Sequence, residues 1–351
     1  MKATPAPASS SASSLSAAVK ALLRYFHRQR PIRGGSLLIT IFGDSIAPRG
    51  GAVTLGSLIG LAHPFGLTER LVRTSVARLA SDGWLVARRE GRRSEYRLTP
   101  TGQDRFAEAT RRIYGEIPNS WDGRWTLLIL PANGGGRRQE VREALRWLGF
   151  GQITPGVFAH PNWSVAQARA GLKGLDGAGD GVLLQSSSEG SEGDRRLVAA
   201  GWDLGELTRR YRRFVDTFTP VMDAAMALAP APVANSAMGS EPAPAPELTG
   251  EAAFTIRTLL IHEYRKIHLR DPLLPPALLP PDWVGMAAYD LSKRLYSAVF
   301  PSAEHYLSNT ASTITEPLPA ANSSAYERFG GLTQTQSAQP SSAAIDAAVK
   351  S

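Results

Sequence analysis

At Gly83 the hydrophobic period of this chain switches from 3.6 residues to 2, and that switch limits what the N-terminal part can be. Ahead of it lie three stretches with helical spacing. Leu37, Leu38, Ile41 and Phe42 share one face that stops at Gly43. Leu55, Leu58, Ile59 and Ala62 recur at i, i+3, i+4 and i+7 behind a Thr54 N-cap, until Pro64 and Gly66 end the run. A third helix starts at Thr68 and sets Leu71, Val72, Ser75, Val76 and Leu79 against Arg70, Arg73, Thr74, Ala77 and Ser81 on its opposite side. Beyond Gly83, Trp84, Val86 and Arg88 alternate with Leu85, Ala87 and Arg89; Gly91 turns the chain, and Ser94 to Leu98 returns as a second strand. Three helices followed by a hairpin form the winged helix-turn-helix pattern, whose third helix is the one that enters a DNA major groove. Ser16 to Arg30 leads in as a helical arm ending in basic His27, Arg28 and Arg30, and Thr99-Pro100 opens a helix running to about Tyr114.

Charge placement agrees with that pattern. Between Gly66 and Arg97, Arg70, Arg73, Arg78, Arg88, Arg89, Arg92, Arg93 and Arg97 stand against four acids, a local excess equal to half of the whole chain's +8. The planar fork of arginine suits phosphate oxygens and guanine O6/N7. DNA contacts are therefore expected from Thr68, Arg70, Arg73, Thr74 and Arg78 on the helix and from Arg88, Arg92, Arg93 and Arg97 on the hairpin. Arg92 and Arg93, at its tip, would reach backbone or minor groove.

From Trp125 the order of elements becomes β-α-β-β-α-β. Thr126 to Leu130 is a buried strand, and a helix carries Val141, Ala144, Leu145 and Leu148. Gln152 to Thr154 and Val157 to His160 flank a Pro155-Gly156 turn, Ser164 caps a short helix, and Gly181 to Gln185 is the last strand. That is a ferredoxin-like arrangement. Asp203 to Met226 trails it as an amphipathic helix, Glu251 to Arg270 is a long helix, and Trp283 to Leu307 is a helical pair or one helix broken near Pro301. The fold class is multidomain α+β. Its expected organisation is a disordered 1–15, a winged helix-turn-helix with its arm over 16–115, a ferredoxin-like domain with a trailing helix over 120–228, a Pro/Ala linker over 229–248, a helical C-terminal domain over 249–307 and a disordered tail over 308–351.

Several chemistries are excluded. With no cysteine there is no disulfide, thiol nucleophile or Cys-ligated zinc. No apolar run reaches the roughly 18 residues of a membrane span, and the N-terminus lacks a signal-peptide core, so a cytoplasmic protein is expected. Gly43-Asp44-Ser45 mimics the nucleophile block of GDSL-type hydrolases, which would make Ser45 an acyl-transfer nucleophile, but none of the six histidines has the Asp three residues earlier that such a block needs. His262-Glu263 opens like a zincin motif and fails at Lys266. Gly134 to Gly136 lacks the Lys and Ser/Thr of a P-loop. No catalytic residue, metal site or cofactor is expected. The two competing readings are an acyl-CoA hydrolase using Ser45 and a structural nucleic-acid-binding protein without an effector.

A set of motifs carries a family resemblance: Phe42-Gly-Asp-Ser45, Phe65-Gly-Leu-Thr68, Gly83-Trp84-Leu85, Gly91-Arg-Arg-Ser94 with Tyr96-Arg97-Leu98-Thr99-Pro100, Trp121-Asp-Gly123, Leu148-Gly-Phe150 and Leu260-Ile-His-Glu-Tyr-Arg265 followed by Arg270-Asp-Pro272. Together they resemble the PaaX family, repressors of phenylacetate degradation genes, from about Ser36 to Leu307. The resemblance implies an N-terminal winged helix, a central Cas2-like domain, a helical C-terminal domain, and phenylacetyl-CoA as effector. One recognition helix reads only a few base pairs, so a homodimer on operator DNA is expected, held through the helices Asp203 to Met226 and Glu251 to Arg270. A Cas2-like nuclease would hold metal with an Asp at the end of its first strand, where Leu130-Pro131-Ala132 stands here. An acyl-CoA needs cations for its phosphates and an apolar slot for its acyl group. Candidates for that site are Trp202, with Arg209 and Arg210, and His262, Tyr264 and Arg265, with Lys266.

Overall fold

The computed structural model describes residues 8–29, 34–117, 120–131, 138–175, 177–228 and 248–332. Gly134 to Gly136, nearly all of the expected linker, and the ends of the chain lie outside the described residues.

The N-terminal third runs α1 (Ala8–Arg28), α2 (Gly34–Ile41), β1 (Ala52–Thr54), α3 (Leu55–Ala62), α4 (Glu69–Ser81), β2 (Leu85–Glu90), β3 (Arg93–Leu98) and α5 (Pro100–Tyr114). Helix α1 begins well before the expected Ser16, because Leu15 sits two turns ahead of Leu22 and extends the buried stripe through Phe26. Gly43 does not end the chain's helical path after α2. The backbone continues as a π turn over Phe42–Ile46, and Gly43 is there for packing: a Cβ on it would lie 2.8 Å from the Phe106 ring. Strands β2 and β3 pair antiparallel from Leu85↔Leu98 to Glu90↔Arg93, and β1 adds a third strand beside β3 that the sequence pattern did not reveal. Between Glu90 and Arg93 the two-residue turn places Gly91 at φ +58, the conformation a glycine tolerates at the first central position.

The central segment contains β4 (Trp125–Ile129), α6 (Arg138–Trp147), β5 (Gly151–Thr154), β6 (Val157–His160), α7 (Val165–Gly171) and β7 (Val182–Ser186). Its sheet order, β5-β6-β4-β7 and antiparallel throughout, keeps the expected β-α-β-β-α-β path. Alternation along β4 splits the sheet into two faces. Leu128 packs with Val141, Leu145 and Phe158, whereas Trp125 packs with Val198 of α8 (Ser191–Gly201) and with Leu274 and Leu278.

Helices α9 (Leu204–Met226), α10 (Gly250–His268) and α11 (Gly285–Thr310) follow. Two corrections concern them. Helix α9 does not trail the central domain: Tyr211, Phe214 and Phe218 join α1, α10 and α11 in one core with α2 to α5. Helix α11 is continuous through Pro301. The largest correction is the tail, where Ala311, Leu318 and Phe329 are buried in that same core, the last after a short α12 (Ser323–Tyr326). The chain from Thr310 to Leu332 returns along the N-terminal third, with Thr54 N donating to Ser312 O at 2.9 Å and Asn322 N to Pro48 O at 2.8 Å. The N-terminal and C-terminal modules thus share one hydrophobic core, and the central domain keeps its own.

Candidate nucleic-acid interface

Helix α4 is anchored by Val72, Val76 and Leu79, all buried. Thr68 caps it by accepting from Leu71 N at 3.3 Å, an N-cap geometry that fixes where the helix starts. The opposite face carries Arg70, Arg73, Thr74 and Arg78, and the hairpin carries Arg88, Arg92, Arg93 and Arg97; all of these, with Thr68, are exposed. Thr74 Oγ1 donates to Arg70 O at 2.9 Å, which turns its hydroxyl back onto its own helix.

The four acids of this segment each hold one arginine. Glu69 pairs with Arg73 at 2.6 Å, Asp82 with Arg78 at 3.8 Å, Glu90 with Arg88 at 3.3 Å and Glu95 with Arg97 at 3.3 Å. Among the described residues Arg70, Arg89, Arg92 and Arg93 have no carboxylate partner, so the local positive excess resides on them. Arg89 counted toward the charge of the segment and was not singled out as a contact. Arg93 is partly engaged: its Nη1 donates to Ile314 O at 3.4 Å, in the returning tail, and Glu95 beside it accepts from Ile314 N at 3.0 Å.

A second arginine cluster lies inside the molecule. Asp44, in the π turn after α2, accepts from Arg257 Nε at 2.6 Å, Arg328 Nη1 at 2.9 Å, Tyr114 Oη at 2.7 Å and Tyr296 Oη at 2.8 Å. Arg257 continues to Glu304 at 2.6 Å, which also holds Arg49 at 2.6 Å. Burial by itself would raise the Asp44 carboxyl, but the Arg257 and Arg328 guanidiniums outweigh it and hold the group below the ordinary carboxylate range. This hub ties the end of α2 to α5, α10, α11 and the tail. Ser45, the nucleophile of the hydrolase reading, is fully buried, and its hydroxyl is engaged between Asp44 at 3.4 Å and Arg257 at 3.2 Å.

The residues expected to hold an effector do not form one site. Trp202 lies against Gly151, its Nε1 donating to Gly149 O at 3.3 Å, and lines an apolar cleft of about 890 Å³ between α8 and Leu278–Pro281. His262, Tyr264 and Arg265 are spent in the α10 core instead. His262 Nδ1 is 3.1 Å from Thr40 Oγ1, and burial with Arg265 and Lys266 nearby holds the imidazole well below its usual pKa. Tyr264 is fully buried with its hydroxyl 3.1 Å from His268 Nδ1. Arg265 donates to Thr40 Oγ1 at 2.8 Å and to Ser36 O at 2.6 Å, joining α10 to α2. Among the described residues no group of three His, Cys, Asp or Glu could hold a metal, and no helix is long and apolar enough to cross a membrane.

Comparison with known proteins places these elements. PaaX-like protein matches residues 33–102, the PaaX protein central Cas2-like domain matches 118–198, and the PaaX-like protein C-terminal domain matches 202–309. Transcriptional repressor PaaX of Escherichia coli (strain K12) is 36% identical over 312 residues, which is 88% of this chain and 93% of that protein. This chain belongs to the PaaX family. The PaaX C-terminal segment begins at residue 202, so the family boundary and the hydrophobic core agree in grouping α9 with α10 and α11. The solved uncharacterized protein Rv0674 from Mycobacterium tuberculosis aligns with a TM-score of 0.45 at 21% identity, over 70% of this chain and 88% of that one. The described tail beyond residue 309, with Arg328 and Phe329, lies past the C-terminal match.

Proposed function

We propose that this PaaX-family chain is a cytoplasmic transcriptional repressor whose N-terminal third is a winged helix-turn-helix. Helix α4 enters the major groove and the β2–β3 hairpin is the wing. The observation that carries this reading is the face formed by α4 and the hairpin: its apolar side is anchored in the core while Arg70, Arg89 and Arg92 stand exposed and without a carboxylate partner among the described residues. The kinship with a transcriptional repressor supports it. Release from the operator is by an aryl-acyl-CoA, phenylacetyl-CoA by family resemblance. Such an effector acts only by binding the DNA-free and DNA-bound conformations differently.

One recognition helix reads only a few base pairs, so two copies should engage operator half-sites a whole helical turn apart, about 10 to 10.5 bp. Helix α10 cannot hold the pair, because nearly its entire surface is buried within its own chain. The open apolar part of the β4–β7 sheet is the better surface for a second copy: Ile129 pairs with Val182, and Val182 and Leu184 are 55% and 45% exposed. A DNA-shift titration of the full-length chain with and without phenylacetyl-CoA tests the function. Specific binding that the thioester reverses is expected. Binding that it leaves untouched would reduce the protein to a nucleic-acid-binding protein without this effector.

A further inference from the structure

A cleft of about 700 Å³ opens where α1, α9 and α10 meet. Five cations reach it from three separate stretches of chain, namely Arg28, Arg209, Arg210, Arg213 and Lys266. Two acids answer them and are already committed: Glu206 holds Arg209 at 2.9 Å and Arg210 at 2.7 Å, and Glu263 holds Lys266 at 3.1 Å. Among the described residues Arg28 and Arg213 have no carboxylate partner, so the cleft carries an uncompensated positive charge. A solvated basic face on a single helix would be unremarked surface. Cations that only folding brings together repel one another, and a concave cluster of one sign focuses its field on an anion.

The same helix that brings Arg28 to the cleft also touches the turn that launches α4. His27 Nε2 lies 2.9 Å from Phe65 O. Next to Phe65, Gly66 has φ +71, and a Cβ there would come within 2.9 Å of His27 Nε2. The C-terminal end of α1 is thus in contact with the cleft and with the turn that precedes α4 at once.

We propose that this cleft binds the phosphate-bearing end of a coenzyme A thioester, and that α1 transmits its occupancy to α4 through His27 and Phe65. The inference rests on the acyl-CoA reading above. Arg28 and Arg213 supply charge-assisted hydrogen bonds to the diphosphate and 3′-phosphate oxygens. Drawing Arg28 into the cleft moves the end of α1, and the hydrogen bond from the adjacent His27 carries that displacement to the turn before α4. Ligand and operator are then coupled, each weakening the other's binding by the same factor. A DNA backbone is the competing polyanion.

The test is isothermal titration of the full-length chain with coenzyme A and with adenosine 3′,5′-bisphosphate, neither of which carries an acyl group. Arg28→Glu/Arg213→Glu should bind both probes about tenfold or more weakly, with an unchanged melting temperature and unchanged ligand-free operator affinity. His27→Ala should bind both probes like the wild type, yet need much more phenylacetyl-CoA to leave the operator. His27→Gln, which keeps a donor for Phe65 O, should restore release. Equal probe binding by the double variant would overturn the site, and so would a loss confined to operator binding, which would assign the cleft to DNA. Normal release by His27→Ala would overturn the transmission through α1. Wild-type binding of both probes at the cleft, with phenylacetyl-CoA leaving operator affinity unaltered, would support the phosphate site and defeat the acyl-CoA reading on its own.

Discussion

Arginine is used in two opposite ways in this chain, and the Asp44 hub and the α4–hairpin face differ in how many partners each guanidinium holds. In the hub, Arg257 and Arg328 are sealed from solvent and bonded to carboxylates and backbone carbonyls, with aromatic rings stacked beneath them: Arg328 lies 4.4 Å from the Tyr114 ring centroid, and Arg257 lies 5.3 Å from that of Phe300. On the α4–hairpin face the guanidiniums are in water and either hold one neighbouring acid or none. A charge taken out of water must be saturated within the fold or it costs several kcal/mol. An arginine meant for a phosphate must instead be left free, because its partner arrives with the DNA. Stability should accordingly depend on the first group and binding on the second.

The largest break in that comparison is Asp44→Ala. It leaves the buried Arg328 guanidinium without a carboxylate and Arg257 with Glu304 alone, and about 3 to 5 kcal/mol of unfolding free energy should be lost in urea denaturation. Arg328→Ala should lose a similar amount, which would be impossible for a residue in a disordered tail. Acid is the next lever. Burial lowers His160 and His268 to about 4, and His262 well below its usual value, so each is neutral in the folded chain. The unfolded chain takes up protons at these groups first, so their contribution is whole above about pH 6.5 and is lost as pH falls from there toward 4. Asp271, raised by burial, works in the opposite sense at the lower end of that range. The depressed Asp44 keeps its contribution above the ordinary carboxylate pKa and loses it only below. Melting temperatures recorded from pH 7.5 to 4 should fall, beginning well above the carboxylate range. A flat profile down to pH 4.5 would contradict neutral buried histidines.

Arg265→Ala should remove roughly 1.5 to 3 kcal/mol of stability, as the tie between α10 and α2 is cut. A normal melting temperature with a raised requirement for phenylacetyl-CoA would return Arg265 to the effector site. Arg73→Ala is the smallest change. Its pair with Glu69 is exposed and worth at most about 1 kcal/mol, so stability should barely move while operator preference weakens.

Periodicity carried the helices of the N-terminal third, the hairpin and the β-α-β-β-α-β path into view because each buries a regular stripe. Charge counting likewise found the α4–hairpin face, since its arginines are close in sequence. Neither signal reaches the Asp44 hub. Asp44 lies 213 residues from Arg257 and 284 from Arg328, and nothing in a Pro/Ser/Ala-rich tail marks Arg328 and Phe329 as core. Phe329 even adopts φ +56, a conformation costly for its side chain and held in place by the surrounding rings of Tyr114, Tyr289 and Tyr296. The effector residues were misgrouped for the reverse reason. Tyr264 and Arg265 look like ligand contacts in sequence, and only the packing of α10 against α2 shows that they are already engaged. The shared core carries a further lesson: a fragment ending at Tyr114 would expose the faces that α9, α10 and the tail cover, so the unit bearing α4 and the hairpin is not independent of the rest.

In the proposed repressor, the free arginines on the α4–hairpin face are expected to bind DNA without supporting the fold. The direct test is fluorescence anisotropy of the full-length chain on an operator selected from random DNA, across a salt series, for wild type and Arg70→Ala/Arg92→Ala. Melting temperature is measured alongside. Expected are an unchanged melting temperature, a loss of about 1 to 3 kcal/mol in operator binding, and a salt slope reduced by about 0.9 for each phosphate contact removed. Equal affinity and an equal salt slope for the two proteins would contradict that expectation.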